Sequence, residues 1–395
     1  MKFFNFLLLF IAFSSSSQTI TSVMNGNATN PLVWDCTCFP TTSSDIVINH
    51  TINLDVDWAI NAGGSITVNA SGQLKQVGLK DLLVDGTGSF ITNNGFTQLN
   101  RIAVMNAGVL TNNDHFSITE AMYVGPGATL SNTDLMDGLD SLMTEGTSQN
   151  DGVLYVGNFL NTGAFENTGH IAADSIGNTG TFTSTSGWIQ GTAIGNSGDF
   201  YLQTEGFMIA SDNWWNIGNF EIDANVDLIC DKDLYNGDTL GGFASLINDG
   251  TISVAKDFYN GWNLSGAGSI CIAEESYNVG AITGTLDICD NTGSDFDFNT
   301  GTIAGTITHC QPGCFVEIEE IVDQLSVYPN PTEGIINIDA TNVFTDFTVT
   351  NLEGKVMLSG LLSGTEIDLT FLNGGLYFLT LEGSGKLQVV SIIKN

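Results

Sequence analysis

The chain is short of positive charge. Lys and Arg number 9 against 43 Asp and Glu in 395 residues, a formal net charge of -34. Arg101 is the only arginine, and no Lys or Arg lies between it and Lys232. Nucleic acids, anionic membranes and polyuronates are bound through Lys and Arg, so this balance argues against all three as partners. Proline is scarce at 6, and no window carries an apolar stripe at the spacing of a helix. Beyond the first residues, no run reaches the ~18 uninterrupted apolar residues of a membrane helix. Acidity with few aromatics would suggest disorder, but hydrophobic residues are 42% and aromatics 10%, enough for a packed core. The carboxylates then serve solubility and guard sheet edges, with divalent-cation binding as the second reading.

What is abundant points to strands. Gly 46 and Phe 24, with many Asn and Thr, suit short strands joined by tight turns, and an all-β protein is expected. At the N-terminus, Met1-Lys2 is followed by a nearly unbroken apolar run over 3–13 and small residues over 14–17. That order predicts a secretory signal peptide over 1–18 rather than a membrane span or a buried first helix. Export permits disulfides among the seven cysteines. Cys271 and Cys289 stand about one repeat apart, which suits a bridge between coils; Cys310 and Cys314 suit a small closed loop. Cys36 and Cys38 would make a zinc half-site, but no matching Cys/His pair follows. The odd count leaves one thiol over.

From about 44 to 310 short alternating segments end in Asn-x-Gly or Asn-Gly, as at Asn161-Thr-Gly163, Asn167-Thr-Gly169, Asn178-Thr-Gly180, Asn196-Ser-Gly198, Asn216-Ile-Gly218, Asn248-Asp-Gly250, Asn278-Val-Gly280, Asn291-Thr-Gly293 and Asn299-Thr-Gly301. Asn178, Asn196 and Asn216 are spaced by 18 and 20 residues. Asn and Gly tolerate positive φ, which suits corners. Thr251-Ile-Ser-Val254 and Phe220-Glu-Ile-Asp223 alternate at period two. A hairpin meander would use similar turns at shorter spacing; a period near twenty residues favours a parallel β-solenoid. The opening segment, with Trp34, Pro40, Asp45-Ile-Val-Ile-Asn49 and Gly63-Gly-Ser-Ile-Thr-Val68, loosely resembles that of pectate-lyase-like β-helix surface proteins, which implies a tryptophan-bearing cap over 19–43.

Residues 311–325 read as an acidic linker. A different pattern starts with Ser326-Val-Tyr-Pro-Asn-Pro-Thr-Glu-Gly334 and Ile335-Ile-Asn-Ile338. It continues through Asn351-Leu-Glu-Gly-Lys355, Leu372-Asn-Gly-Gly-Leu-Tyr-Phe-Leu379 and Ile392-Ile-Lys-Asn395. The prolines fix φ, Gly334 and Gly354 turn the chain, and the alternation predicts a small β-sandwich with Tyr377 partly buried. These residues resemble the type IX secretion C-terminal sorting domain (type A) over 326–395. The resemblance implies Tyr328, Pro329, Asn330, Pro331, Gly334, Gly354, Lys355, Gly375, Tyr377 and Lys394 as sorting-signal positions. It further implies the outer-membrane type IX machinery as partner, and release or attachment to surface lipopolysaccharide as the outcome.

No catalytic set emerges. Asn132-Thr-Asp134, Asp151-Gly152 and Gly169-His170 follow the order of polygalacturonase-type acids and histidine. They lack the adjacent aspartates and the basic partner such chemistry needs. His50, His115, His170 and His309 are dispersed. Asp295, Asp297 and Asn299 would share one strand face, near Asp287 and Asp290. A solvated acidic face is the simpler reading, with calcium as the cation these oxygens would take; Asp55-Val-Asp57 reads the same way. Trp214, Trp215 and Trp262 suit either sugar stacking or coil filling. The expectation is a non-catalytic adhesin, structural or glycan-binding solenoid meeting extracellular glycans or host and matrix surfaces. The alternative is a β-helix glycoside hydrolase or lyase.

Overall fold

The computed structural model describes residues 19–204, 206–237, 243–293, 295–309, 326–339, 344, 346–351, 355–362, 364–383 and 386–395. The expected signal peptide, the 311–325 linker, Cys310, Cys314 and Gly354 lie outside the described residues. The chain divides into two compact units, Met1–Cys314 and Phe315–Asn395.

The first unit is a parallel β-solenoid. Thr181–Ser184 pairs in parallel with Ala164–Asn167 of the coil before and Asp199–Leu202 of the coil after. One face is a 15-stranded sheet built this way, running from Thr19–Thr21 to Thr302–Ile303. Between successive strands of that face the chain completes the coil. In the middle coils it does so as one long strand, such as Val153–Asn161 or His170–Asn178. Later it does so as two short ones, such as Phe207–Ala210 and Trp214–Asn216. Residues expected as a cap also build the first coil, since Gly26–Asn27 pairs in parallel with Thr51–Leu54. Above it, Pro31–Val33 makes the one short 3-10 turn among the described residues and delivers Trp34 into the end of the core. Trp34 is fully buried, its indole N–H donates to the Ala28 carbonyl at 3.0 Å, and its ring lies 6.1 Å from Trp58.

Alternation turns Ile, Leu and Val inward on every short strand, as in Asp45–Ile48 and Thr51–Leu54. Inside one face Phe165, Phe182 and Phe200 stack at 5.2 and 4.4 Å, with Phe220 edge-on to Phe200 at 5.6 Å. Each fully buried ring contributes roughly 1.5–3 kcal/mol of burial free energy. Parallel in-register pairing makes such columns automatic: a residue kept at one coil position meets its equivalent one rung away.

The same rule explains the asparagines, and corrects the expectation of positive φ. The ladder asparagines are strand residues with ordinary backbone, and they stack inside the coil. Thr144 Oγ1 donates to Asn161 Oδ1, and Asn161, Asn178, Asn196, Asn216, Asn236, Asn260 and Asn278 then pass one Nδ2-to-Oδ1 bond each along the stack, at 2.7–2.9 Å, the last to Asn299. A second column runs Asn93, Asn112, Asn132, Asn150, Asn167, ending on Ser184. Asn291 belongs to neither and lies in an exposed turn. Most of these amides also donate to main-chain carbonyls at the corner, as Asn178 Nδ2 does with Gly180 O and Asp199 O. The corner glycines serve close approach. A Cβ on Gly163, Gly180, Gly198 or Gly218 would fall 2.1–2.2 Å from the carbonyl oxygen of the glycine one coil earlier.

The second unit contains a 3-stranded antiparallel sheet, Ser326–Tyr328, Ile335–Asp339 and Glu366–Asp368, and a 4-stranded one. The latter orders Val356–Leu361, Asp346–Asn351, Gly375–Gly383 and Lys386–Lys394. Ile336, Ile338, Val349, Ile367, Leu379 and Ile392 form part of one core with Tyr377. This is the expected small sandwich.

Candidate functional site

The cysteines fall as the compartment predicts. Cys36 and Cys38 are joined in a disulfide, which replaces the zinc half-site reading. Cys271 and Cys289 face each other on adjacent coils and are disulfide-bonded. Cys230 is the one free cysteine among the described residues, buried, with its thiol pushed up to about 11 chiefly by burial.

The hydrolase-like set does not converge. Pairing of Leu135 with Val153 and of Val153 with His170 puts Asp134, Asp151 and His170 in three different columns. Asp151 accepts from Thr168 Oγ1 at 2.6 Å and from Gln149 Nε2. His170 stacks flat on Trp188 at 4.7 Å, and burial holds its imidazole below the ordinary range. His50 contacts Ser22, and His115 Nε2 lies 3.0 Å from Asp137 Oδ2.

The expected calcium strand is shorter than its sequence suggested. Only Phe298–Asn299 is strand. Asn299 ends the amide ladder, accepting from Asn278; Asp297 accepts from the Ser276 backbone N–H at 2.9 Å and from Thr292 Oγ1 at 3.1 Å; Asp295 is exposed in the preceding bend. Asp290 is taken up by Ser276 and Thr292, and Asp287 by Thr308. Asp55 accepts from Thr29 and Asp57 from the Asp81 N–H. These acids tie coils together. Among the described residues no three His, Cys, Asp or Glu side chains stand close enough to hold a metal ion.

What the pairing does bring together are columns of outward rings, exposed at Trp215, Phe298, Tyr155 and Trp188 and half-buried between them. Trp214 points in and is fully buried, while Trp215 points out and is 43% exposed. From Trp215 one outward ring per coil follows: Tyr235, Tyr259, Tyr277 and Phe298, with centroids 6.1, 6.2, 6.5 and 6.4 Å apart. Every ring immediately precedes a ladder asparagine, so the buried amide fixes the outward ring. That aromatic-Asn dipeptide was the available signal, hidden by loops that make the coils 20, 24, 18 and 21 residues long. A second exposed set joins Tyr155, His170, Trp188 and Phe207 at 6.0, 4.7 and 6.4 Å. Beside it lies a groove of about 550 Å³ whose lining includes Asp140, Tyr155, Gly157, Asp174, Gln190 and Thr192. Asp140, Gly157 and Asp174 occupy one column, so the two carboxylates are about two rungs, roughly 9.6 Å, apart at the backbone.

In the second unit some of the expected sorting positions, Asn330, Pro331, Gly334 and Lys394, lie at or beside the first turn. Asn330 Nδ2 donates to Ser391 O at 2.7 Å and its Oδ1 accepts from the Ile393 N–H at 2.8 Å. Pro331 leads into Thr332, which pairs with the last strand. A Cβ on Gly334 would strike Thr370 at 2.5 Å. The Tyr377 hydroxyl donates to Asn373 O at 3.0 Å, Lys355 N–H donates to Asn351 Oδ1, and Lys394 is buried with its ammonium on Asn395 O. Gly375 opens the strand that carries Tyr377, and Tyr328 is half exposed.

No curated protein matches the chain. Residues 326–395 match the family described as secretion system C-terminal sorting domain. The tail that this sandwich forms engages the type IX secretion machinery, and the chain is a β-solenoid cargo exported to the cell surface or beyond it.

Proposed function

We propose that the cargo is a non-catalytic glycan-binding adhesin. The observation behind this reading is the column of outward rings from Trp215 to Phe298. Part-exposed aromatic rings at regular intervals suit the apolar faces of sugar rings, and a solenoid presents them as an extended surface. Residues 1–18 serve as the signal peptide to the periplasm, and the sorting tail then delivers the solenoid to the surface, where lipopolysaccharide attachment holds it against extracellular glycans. Calcium, if it enters, bridges carboxylates of neighbouring coils. The test is glycan-array binding of the purified full chain with and without calcium. Binding that falls in Trp215→Ala supports the reading; an array with no bound glycan overturns it.

One observation favours a hydrolase instead. Asp140 and Asp174 line one groove, with backbones roughly 9.6 Å apart, just beyond the roughly 6.5–9.5 Å carboxyl separation of inverting glycosidases. Product release from a polysaccharide panel that disappears in Asp140→Asn or Asp174→Asn would replace the adhesin reading.

A further inference from the structure

The geometry points to one ligand for the column from Trp215 to Phe298: a linear polymer of amine-bearing sugars, lying along the solenoid with ring faces on the aromatics and ammonium groups on the carboxylates beside them. This rests on the glycan-binding reading above and narrows it to a substrate class. One coil advances about 4.8 Å, close to the length of one sugar ring in an extended chain. A polyglucosamine running parallel to the stack therefore meets about one aromatic per unit over five coils.

The charge beside the rings selects the amine. Asp233, Asp257 and Glu275 stand two residues before Tyr235, Tyr259 and Tyr277, and Asp297 directly precedes Phe298. The coil stack holds them in place. Asp233 Oδ1 accepts from the Asp257 N–H at 3.3 Å, Asp257 Oδ1 from the Glu275 N–H at 3.0 Å, and Asp297 Oδ2 from the Ser276 N–H at 2.9 Å. Tyr235 donates to Asp233 at 3.0 Å, and Tyr277 donates to Glu275. These bonds fix the carboxylates without neutralising them. The next column outward adds no net positive charge, because Lys232 pairs with Asp212 at 2.9 Å and Lys256, which also acts on Asp233 and Asp257, pairs with Glu274 at 3.0 Å. A strip of net negative charge beside part-exposed rings attracts an ammonium through both groups. It repels uronates and sulfated chains, and gives neutral sugars stacking alone.

A lysine-rich peptide carries the same charge but fits the strip poorly. The column lies on a sheet face whose strands are already paired on both sides, so the peptide's own N–H and C=O groups would find no main-chain partners there.

Calorimetric titration of the purified full chain with a glucosamine hexamer, an N-acetylglucosamine hexamer and a lysine hexamer tests the assignment. The glucosamine hexamer is expected to bind at least about tenfold tighter than the acetylated one, and Tyr259→Ala to weaken it by about tenfold. The double variant Asp257→Asn with Glu275→Gln keeps the hydrogen-bond acceptors and removes two charges. It is expected to abolish the preference and flatten the salt dependence, with an unchanged thermal midpoint for the protein. Equal or tighter binding of the acetylated hexamer overturns the amine assignment while leaving the glycan-binding reading intact. A lysine hexamer that binds as tightly, with the same loss in Tyr259→Ala, overturns the sugar. Binding of neither sugar hexamer overturns the assignment, and the array then decides the broader reading separately.

Discussion

Asn196 and Asn216, twenty residues apart, are bonded amide to amide across adjacent coils, Nδ2 to Oδ1 at 2.9 Å. Asn216 in turn donates to Asn236 Oδ1 and to the Ser245 carbonyl, and it accepts from the Gly218 N–H. All of this happens with the side chain fully buried.

Asn216→Ala therefore strands polar groups on both neighbouring coils. Its cost is expected at roughly 3 kcal/mol, read as a lowered urea midpoint. Asn291→Ala, in an exposed turn outside both ladders, is expected to stay within about 0.5 kcal/mol of the parent. Equal effects at the two sites would refute the ladder's structural role.

Gly198 and Gly195 separate packing from backbone freedom. A methyl on Gly198 meets the Gly180 carbonyl oxygen at 2.1 Å, whereas one on Gly195 meets nothing within 4 Å. Gly198→Ala is expected to destabilise by about 1–3 kcal/mol or more, and Gly195→Ala to be neutral or stabilising by about 0.5 kcal/mol. Thermal midpoints of the two variants decide it.

His170 gives the solenoid an acid-side weakness. Burial lowers its folded pKa, while the unfolded ring protonates below about pH 6.5. The stability linked to the neutral ring is complete above that pH and is lost as pH falls through the folded value. Urea midpoints are expected to drop between pH 7.5 and pH 5. His170→Phe, which retains a ring to stack on Trp188, is expected to show a shallower drop.

Cys230 should be silent until the coil opens. With its thiol near 11 and buried, it holds on the order of one thiolate per thousand molecules at pH 8. Maleimide or disulfide reagents are expected to leave the native protein unlabelled at this position and to label it fully in guanidinium. Labelling of the folded protein at the unfolded rate would contradict the burial.

Much of this architecture was readable from residues alone, for reasons that differ along the chain. The sandwich over 326–395 was legible because its strands pair locally and their turn residues sit at fixed offsets, as from Asn351 to Lys355. The solenoid was legible from its Asn-x-Gly corners, but their purpose was not. Isolated propensity suggests positive φ, while the real causes, amide bonding between Asn178 and Asn196 and carbonyl contact at Gly198, exist only between coils. Asn236-Gly237 and Asn260-Gly261 fit the Asn-Gly form of the corner, but only register shows that they continue the ladder. The ring column needed register, which irregular loops conceal. Asp297 and Asn299 read first as part of a solvated acidic face, and their partners one coil earlier, Ser276 and Asn278, emerge only with the register.

The amide ladder has a direction. Every link runs from an earlier coil's donor to a later coil's amide oxygen, beginning at the Thr144 hydroxyl and ending on Asn299. A coil spliced between two others meets an identical donor below and an identical acceptor above, whatever the length of its outer loops. Such a chain can lengthen by duplicating one turn without redesigning its interior, so its reach can change over generations while its stacking chemistry stays the same.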